Sequence, residues 1–252
     1  MNKAFCRKKQ SVSFLLAGCL ILFNILILTA CGMDTFYEID GPSRVNHEPY
    51  YDSIEEADRY FEFVAPSNKK KYDVGEEPPI TFLGTDVYYK IYDSSSRLNS
   101  EYSSILQLAN SETSSAQAPD RMIATYHFQP LRAAGQSSDQ AVLVPDNGSD
   151  STVKIRLLDY LPYDYAQVTI DGSNKGKPVR SIPNSPSFDF YSQSADLAPK
   201  SDDADSSITT SSGTTQPEAY YVSMFAVAIG QDTGYARLYS NVLYLGSVKI
   251  EK

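Results

Sequence analysis

The amino-acid sequence predicts a mainly β protein, folded as a β-sandwich with an inserted helix and long loops. Short segments rich in aromatic and β-branched residues recur along the chain, and many of them alternate between polar and apolar residues. Turn-forming pairs such as Asn147-Gly148 and Asp171-Gly172 lie between these segments. Hydrophobic residues make up 42% of the chain, which excludes a wholly disordered protein and provides for a packed core.

Nine segments have this composition or alternation and are predicted to be strands. They are residues 60–64, 86–92, 122–128, 141–144, 152–158, 166–170, 178–182, 220–229 and 242–250. We expect the fourth and fifth to form a hairpin around Asn147-Gly148, and the sixth and seventh a hairpin around Asp171-Gly172. The last two are expected to form a final antiparallel pair.

One segment has helical periodicity instead, and it predicts a helix over 97–109. Its apolar residues are Leu98, Tyr102, Ile105, Leu106 and Ala109. The strand predicted over 220–229 is apolar on both faces, which is typical of a central strand covered on both sides. We therefore expect the helix to cover the outward face of that strand.

Polar segments without periodicity predict the loops. Residues 193–217 consist largely of Ser, Thr and Asp and predict a long mobile loop inside the domain, and 111–119 predict a shorter one. Ser53 and Glu56 have the spacing of a capping box, which predicts a single helical turn over 54–59.

The first thirty residues have the features of an export signal. Four basic residues (Lys3, Arg7, Lys8 and Lys9) precede an apolar run over 12–30, and no acidic residue occurs before Asp34. A positive head, an apolar middle and small residues before a polar mature chain are typical of a secretory signal peptide, here residues 1–30.

The end of this segment, Leu28-Thr29-Ala30-Cys31, resembles the lipobox of bacterial lipoproteins. The resemblance implies cleavage between Ala30 and Cys31 and attachment of acyl chains such as palmitate to Cys31. It places the protein on the cell membrane or the outer membrane, facing the periplasm or the surface. Two alternatives remain: an uncleaved membrane-spanning helix, and a second lipobox at 16–19 that would end at Cys19.

Cleavage before Cys31 also accounts for the cysteines. Cys6 and Cys19 leave with the signal peptide, so Cys31 is the one cysteine of the mature sequence and there is no second thiol for a disulfide. The predicted organisation is a signal peptide over 1–30, a lipidated N-terminus with a flexible tether over 31–52, and one β-sandwich domain over 53–252.

The segment 220–227 is similar to the penultimate strand of fibronectin type III domains. The matching residues are Tyr220, Val222, Met224, Ala226 and Val227, with Pro217 upstream and Ser240-Asn241-Val242 as the start of a last strand. The sequence departs from that family in having no Trp and about twice the usual length. As a whole, the chain resembles uncharacterised Tyr-rich lipoproteins of spirochaetes, which implies no activity.

Charge and motif content exclude several functions. The net charge of −9 falls to −13 after removal of residues 1–30, which argues against binding nucleic acid. The two histidines are expected in the tether (His47) and in a strand (His127). No catalytic residue, cofactor site or metal site is predicted from motifs. Two acidic segments, 146–150 and 202–205, leave calcium binding open.

We expect a membrane-anchored binding module without catalytic activity, which contacts a basic or neutral protein or a glycan. Dense tyrosines favour this function, since their rings provide large contact area, and Asp164 lies among Tyr160, Tyr163 and Tyr165. The alternatives are a hydrolase of envelope polymers with scattered carboxylates, and a structural envelope component. A concave polar pocket would favour the enzyme, and an exposed aromatic patch the binding module.

Overall fold

A computed structural model describes residues 38–50, 55–68, 80–137, 139–182, 190, 198–209 and 219–251. The predicted signal peptide, the lipobox and Cys31 lie outside these residues. Residues 38–252 form one compact unit. In the described part of the chain, no helix is both long and apolar enough to cross a membrane.

The described residues form fourteen strands. In chain order these are β1 Ser43–Arg44, β2 Phe61–Ala65, β3 Ile80–Tyr92, β4 Gln129–Pro130, β5 Arg132–Ala133, β6 Val144–Pro145, β7 Ser151–Arg156, β8 Gln167–Ile170, β9 Ser173–Asn174, β10 Pro178–Val179, β11 Ser206–Ser207, β12 Ala219–Asp232, β13 Arg237–Tyr239 and β14 Leu243–Glu251. The helices are α1 Ser95–Ala109 and the short α2 Ala118–Asp120, with 3-10 turns at Glu56–Asp58 and Ser115–Gln117 and a wide helical turn at Arg121–Thr125.

Two sheets contain most of the strands. The smaller is antiparallel, in the order β1-β2-β7-β8-β9. The larger is built on β3 and β12, which pair antiparallel over twelve residue pairs. There β14 pairs with the first half of β12 and β13 with its end, while β11 adds to the end of β3 in parallel. The fold is therefore mainly β, as predicted.

The core has two parts, one on each face of the larger sheet. One cluster joins the two sheets and includes Phe61 and Val153 of the smaller sheet and Val222 of the larger. The other lies between the larger sheet and the helices, where Leu98 and Ile105 of α1 join Phe225, Val227 and others. This arrangement confirms the prediction that the helix covers the outward face of the 220–229 strand.

Polar contacts tie α1 to the sheet beneath it. Lys90 of β3 is nearly buried and donates to Glu101 of α1 at 2.9 Å and to the carbonyl of Tyr126 at 2.7 Å. Tyr92 also donates to Glu101, at 2.9 Å. Burial, and next the charge of Glu101, raise the pKa of Tyr92 well above its usual value, so this hydroxyl stays a donor.

The strand predicted over 122–128 is wrong, since the structure has a helical turn at Arg121–Thr125. Pro119 lies in the first turn of α2 and starts this helical stretch. Met122 and Tyr126 both join the core cluster between the larger sheet and the helices. They are four residues apart, and this spacing fits a helical face as well as one face of an alternating strand. His127, expected in a strand, is an exposed residue with a φ of 58° after this turn.

The two predicted inner hairpins are also revised. The segment around Asn147-Gly148 connects the sheets instead of closing a hairpin, because β6 pairs with β3 whereas β7 pairs with β2 and β8. Asp171-Gly172 does close a hairpin, and both residues have the positive φ of its tight turn. Its second strand is β9, however, and β10 pairs with β5.

The described part of the predicted tether belongs to the domain. Within 38–50, β1 pairs with β2, and the carbonyl of Pro49 accepts a hydrogen bond from the Ser247 amide at 3.1 Å. His47, expected to be solvated, stacks on Tyr60 with ring centroids 3.8 Å apart. Residues 38–50, expected in the tether, therefore belong to the folded domain, where they lie at the edge of the two sheets.

The middle of the predicted mobile loop is packed as well. Within residues 198–209, Ala198, Asp205 and Ile208 are buried and β11 pairs with β3. Residues 193–197 and 210–217 lie outside the described residues. The polar composition was misleading here because a buried arginine, described below, is the partner of the acidic side chains.

Truncating the side chain of Ile105 to Ala should lower the free energy of unfolding by about 2–5 kcal/mol, because it leaves a cavity between α1 and β12. Denaturant unfolding followed by circular dichroism measures the change. The exposed Ser103→Ala on the same helix is the matched control and should shift stability by less than about 0.5 kcal/mol. Equal effects for both variants would contradict the packing described for this face.

Candidate functional site

The most exposed group of apolar side chains in the described residues lies on the connection between β7 and β8, residues 159–166, here called the aromatic turn. Leu161, Tyr163 and Tyr165 are 62%, 76% and 60% exposed. Since a fully exposed aromatic side chain offers roughly 200 Å², the two tyrosines alone present about 300 Å² to solvent. A patch of this size on a monomer is often functional.

Asp164 holds the aromatic turn in place from below. Its Oδ2 accepts hydrogen bonds from Arg156 Nε at 3.0 Å and Lys154 Nζ at 3.2 Å. Its Oδ1 accepts from the Tyr165 amide at 3.0 Å and from Gln167 Nε2 at 2.8 Å. Burial by itself would raise the pKa of Asp164, but the hydrogen bonds from Lys154 and Arg156 outweigh it and lower the pKa.

Arg156 connects the aromatic turn to the rest of the fold. Its guanidinium is buried and donates to the carbonyls of Glu56 at 3.0 Å and Ala57 at 2.9 Å, on the 3-10 turn before β2. The same group lies 5.5 Å from the ring centroid of Tyr160, whose ring is 5.1 Å from that of Tyr163. The partly buried ring of Tyr160 therefore packs on a cation held by three backbone or carboxylate oxygens, and the exposed ring of Tyr163 packs on Tyr160.

Main-chain hydrogen bonds close the aromatic turn on itself. Tyr160 and Asp164 exchange both of their amide–carbonyl bonds, at 2.7 and 2.8 Å. Asp159 Oδ1 accepts from the Ala166 amide at 2.8 Å, across the base of the turn. The exposed side chains are thus presented by a fixed backbone, which reduces the entropy lost on binding.

Among the described residues, four exposed carboxylates lie on the aromatic turn or on the turn joined to it by Arg156. Glu55, Glu56 and Asp58 lie on the 3-10 turn that Arg156 joins to the aromatic turn, and Asp159 begins the aromatic turn itself. Arg156 is buried against Asp164, whereas the side chain of Lys154 is partly exposed beside it. The exposed groups next to the aromatic turn are therefore mainly carboxylates, here called the acidic rim, with the partly exposed cation of Lys154 among them.

The aromatic turn lies at the opposite end of the domain from residue 38. Asp40 exchanges hydrogen bonds with Asn68, which is three residues beyond the end of β2. The C-terminal end of β2 therefore lies near residue 40, and its N-terminal end lies farther from it. Its first residue, Phe61, pairs with Ile155 at the end of β7, directly before the aromatic turn. We call the end with residues 38–41 the proximal end and the end with the aromatic turn the distal end.

A cleft of about 500 Å³ lies elsewhere, between the β5 turn and the β8–β9 hairpin. Its polar lining residues are Gln136, Gln140, Asn174 and Lys175. The two glutamine amides donate to the carbonyl of Val142 at 3.0 and 2.8 Å, and Asn174 accepts from the Gly176 amide at 2.7 Å. These side chains stabilise the loops they belong to, and the described lining contains no carboxylate.

In the first acidic segment considered for calcium, two carboxylates accept hydrogen bonds from nearby groups of the protein. Asp146 accepts from the Ser67 hydroxyl and the Gly148 amide at 2.8 and 3.1 Å, and Asp150 accepts from the Ser67 amide at 2.9 Å. In the described ranges, no group of three or more His, Cys, Asp or Glu is placed to hold a metal ion.

The second acidic segment surrounds a buried arginine that motifs did not reveal. Arg180 is 1% exposed and donates to Asp205 at 2.7 and 2.9 Å and to Asp203 at 2.6 Å. Tyr89 of β3 donates to the same Asp205 at 2.6 Å and accepts from the Ser181 amide. Burial would lower the pKa of Arg180, but its bonds to Asp205 and Asp203 outweigh this effect and raise it.

Comparison with protein-family models, with curated proteins and with solved structures finds no match for this chain. The resemblance to bacterial lipoproteins and to fibronectin type III domains therefore depends on the sequence motifs alone.

Sequence reasoning found the tyrosines and Asp164 but missed Arg156 and the 3-10 turn as their support. Arg156 lies inside the strand predicted over 152–158 and is the last residue of the observed β7, and nothing in the local sequence indicates that its side chain joins another segment. The ion pair between Arg156 and Asp164 depends on the register of β7 and β8, which the sequence does not specify.

Replacing Asp164 with Asn should loosen the aromatic turn and lower the free energy of unfolding by about 1–3 kcal/mol, because Arg156 would remain buried without its counter-charge. Hydrogen exchange of the Tyr160 and Asp164 amides measures the loosening. Asp58→Asn removes an exposed carboxylate from the neighbouring turn and is the matched control. Unchanged exchange in the Asp164 variant would contradict the role of the ion pair.

The same carboxylate predicts a pH dependence. Because its folded-state pKa lies below the usual 3.8, its contribution to stability is complete above that value and is lost as pH falls through the folded-state pKa. Exchange at the two amides, corrected for intrinsic rate, should therefore rise below about pH 4 in the wild type. In the Asp164→Asn variant this rise should be absent.

Proposed function

We propose that the chain is a lipoprotein anchored through Cys31, which displays an immunoglobulin-like β-sandwich as a binding module for a basic or neutral protein partner. The aromatic turn is the contact surface. The observation that carries the proposal is an exposed aromatic group, fixed by the partly buried Arg156–Asp164 pair, at the end of the domain opposite to residue 38.

Strand order supports the sandwich. An immunoglobulin-like sandwich places its first, second, fourth and fifth strands in one sheet and its third, sixth and seventh strands in the other. Here β1, β2 and β7 are neighbours in one sheet, and β3, β12 and β14 in the other. The described strands between β3 and β7, which are β4, β5 and β6, do not join the first sheet, so the fourth strand has no counterpart among them. The departures are α1, which lies between β3 and β7, and the β8–β9 hairpin, which adds to the first sheet after β7.

The composition of the distal end supports a protein partner. Tyr side chains bind with little loss of conformational entropy and are frequent among residues that dominate binding energy. The acidic rim complements a basic surface, and a cation of the partner would also find the faces of Tyr163 and Tyr165. A glycan is the alternative ligand, because aromatic rings also stack on sugars. Such a ligand would not need to carry positive charge.

The lipobox and the strength of acyl-chain insertion support the anchor. Each buried CH₂ group of an acyl chain contributes roughly 0.8 kcal/mol to membrane binding. Two or three such chains hold a protein on a membrane without a contribution from the protein surface. An acidic domain gains no attraction from anionic headgroups, so the lipid on Cys31 provides the attachment.

The double variant Tyr163→Ala/Tyr165→Ala should lose binding to basic peptides by a factor on the order of ten or more, since it removes the centre of the contact surface. The measurement uses an array of short peptides of graded net charge together with an array of envelope glycans. Wild-type binding should increase with positive charge and weaken with added salt.

Tyr235→Ala, an exposed tyrosine outside the aromatic turn, is the matched control and should bind like the wild type. Binding to glycans alone would replace the protein partner with a carbohydrate. Binding to neither array would favour a structural component of the envelope.

A Cys31→Ala variant should remain precursor-sized and incorporate no labelled fatty acid, because the acylated thiol is absent. Electrophoresis of labelled cells measures both properties. Cys19→Ala is the control and should be processed and labelled normally. Labelling that depends on Cys19 instead would move the anchor to the first lipobox.

A further inference from the structure

A second exposed aromatic residue stands at the tip of the β12–β13 hairpin. Tyr235 is 81% exposed, more than any other large hydrophobic side chain among the described residues. Arg237 on the same hairpin is exposed as well. None of the aromatic contacts found among the described residues involves the Tyr235 ring. Packing inside the domain therefore does not explain why a tyrosine occupies this position.

The backbone of this hairpin tip is well ordered by hydrogen bonds. The Tyr235 amide donates to the carbonyl of Asp232 at 3.0 Å, and the Ala236 amide donates to Asp232 Oδ1 at 2.8 Å. Tyr235 itself has a φ of 66°, which is uncommon for a bulky side chain. The fold thus holds the ring outward on a fixed turn.

The hairpin lies at the proximal end of the domain. Ile39 packs at its base, where a Cβ added to Gly230 would lie 2.8 Å from Ile39 Cδ1. Gly41 similarly faces the carbonyl of Asn241, just after β13. The described chain therefore begins beside the strands that carry Tyr235.

The chain before this point is short. Cys31 precedes Glu38 by seven residues, and at no more than about 3.6 Å per residue these span about 25 Å at full extension. β12 alone has 14 residues, which at roughly 3.3 Å each give about 45 Å from one end of the domain to the other. A lipid on Cys31 would thus keep the proximal end near the bilayer.

We propose that the hairpin tip with Tyr235 contacts the lipid headgroup region of the membrane that holds the anchor. This inference rests on the proposed lipidation of Cys31. Tyr is favoured at this depth because its ring is apolar and its hydroxyl remains hydrated, and Arg237 is placed to meet lipid phosphates. Glu38 and Asp232 lie at the same end, so the aromatic ring and not net charge provides the contact.

Contact at the tip also sets the orientation of the domain. The hairpin and the aromatic turn are at opposite ends of the sheets, so a domain standing on Tyr235 presents Tyr163 and Tyr165 away from the bilayer. The membrane contact then keeps the binding surface accessible to partners outside the lipid layer.

The test uses the full-length lipidated protein in vesicles of phosphatidylcholine and phosphatidylglycerol. Acylation consumes Cys31, and Cys6 and Cys19 leave with the signal peptide, so a Tyr235→Cys variant has one free thiol for a fluorophore. Spin-labelled lipids should quench a probe at this position several-fold more than a probe in the matched Tyr163→Cys variant. Thr233→Cys, exposed on the same tip, keeps Tyr235 in place and should be quenched as well.

The outcomes separate the two proposals. Vesicle flotation with no more quenching at 233 and 235 than at 163 overturns the membrane contact and leaves the anchor intact. Failure of the protein to float with vesicles overturns the anchor and, with it, this inference. In both cases Tyr235→Ala should retain peptide binding at the distal end, which reports that the domain is folded.

Discussion

The pairing of β3 with β12 is the constraint on which the rest of the structure depends. Both strands carry apolar side chains on both faces, so neither face can be left to solvent. The smaller sheet covers one face and α1 with the wide helical turn after it covers the other. The helical cover comes from the chain between β3 and β12, whereas the smaller sheet combines β1 and β2, which precede β3, with β7, β8 and β9, which follow it.

Buried charges fix the segments that the apolar core does not reach. Arg180 joins Asp203 and Asp205, distant in sequence, to β3 through Tyr89, and Arg156 joins the aromatic turn to the 3-10 turn before β2. Breaking such a pair costs more than its formation contributes, because a buried charge is left unpaired. These arginines therefore fix the positions of chain segments that have no regular secondary structure.

The two ends of the domain differ in chemistry and so in proposed role. The distal end has several exposed aromatic rings inside an acidic rim, which suits a partner carrying positive charge. The proximal end has one exposed tyrosine beside the point where the chain enters the domain, which suits contact with lipid. The incorporation of residues 38–50 into the fold relates the two proposed roles, because it fixes the start of the described chain at the end opposite to the aromatic turn.

The sequence by itself determined the mainly β class, the second half of β3, the strands β2, β7, β8, β12 and β14, and the helix, predicted over 97–109 and observed over 95–109. It also identified Asp164 among its tyrosines. Only the tertiary structure decided the two-residue strands β1, β4, β5, β9 and β11, the helical turn at 121–125, the strand partners around Asn147-Gly148 and the packing of 38–50 and 198–209. Those segments have little preference of their own, and their conformation depends on partners such as Arg156 and Arg180 that lie far away in the chain.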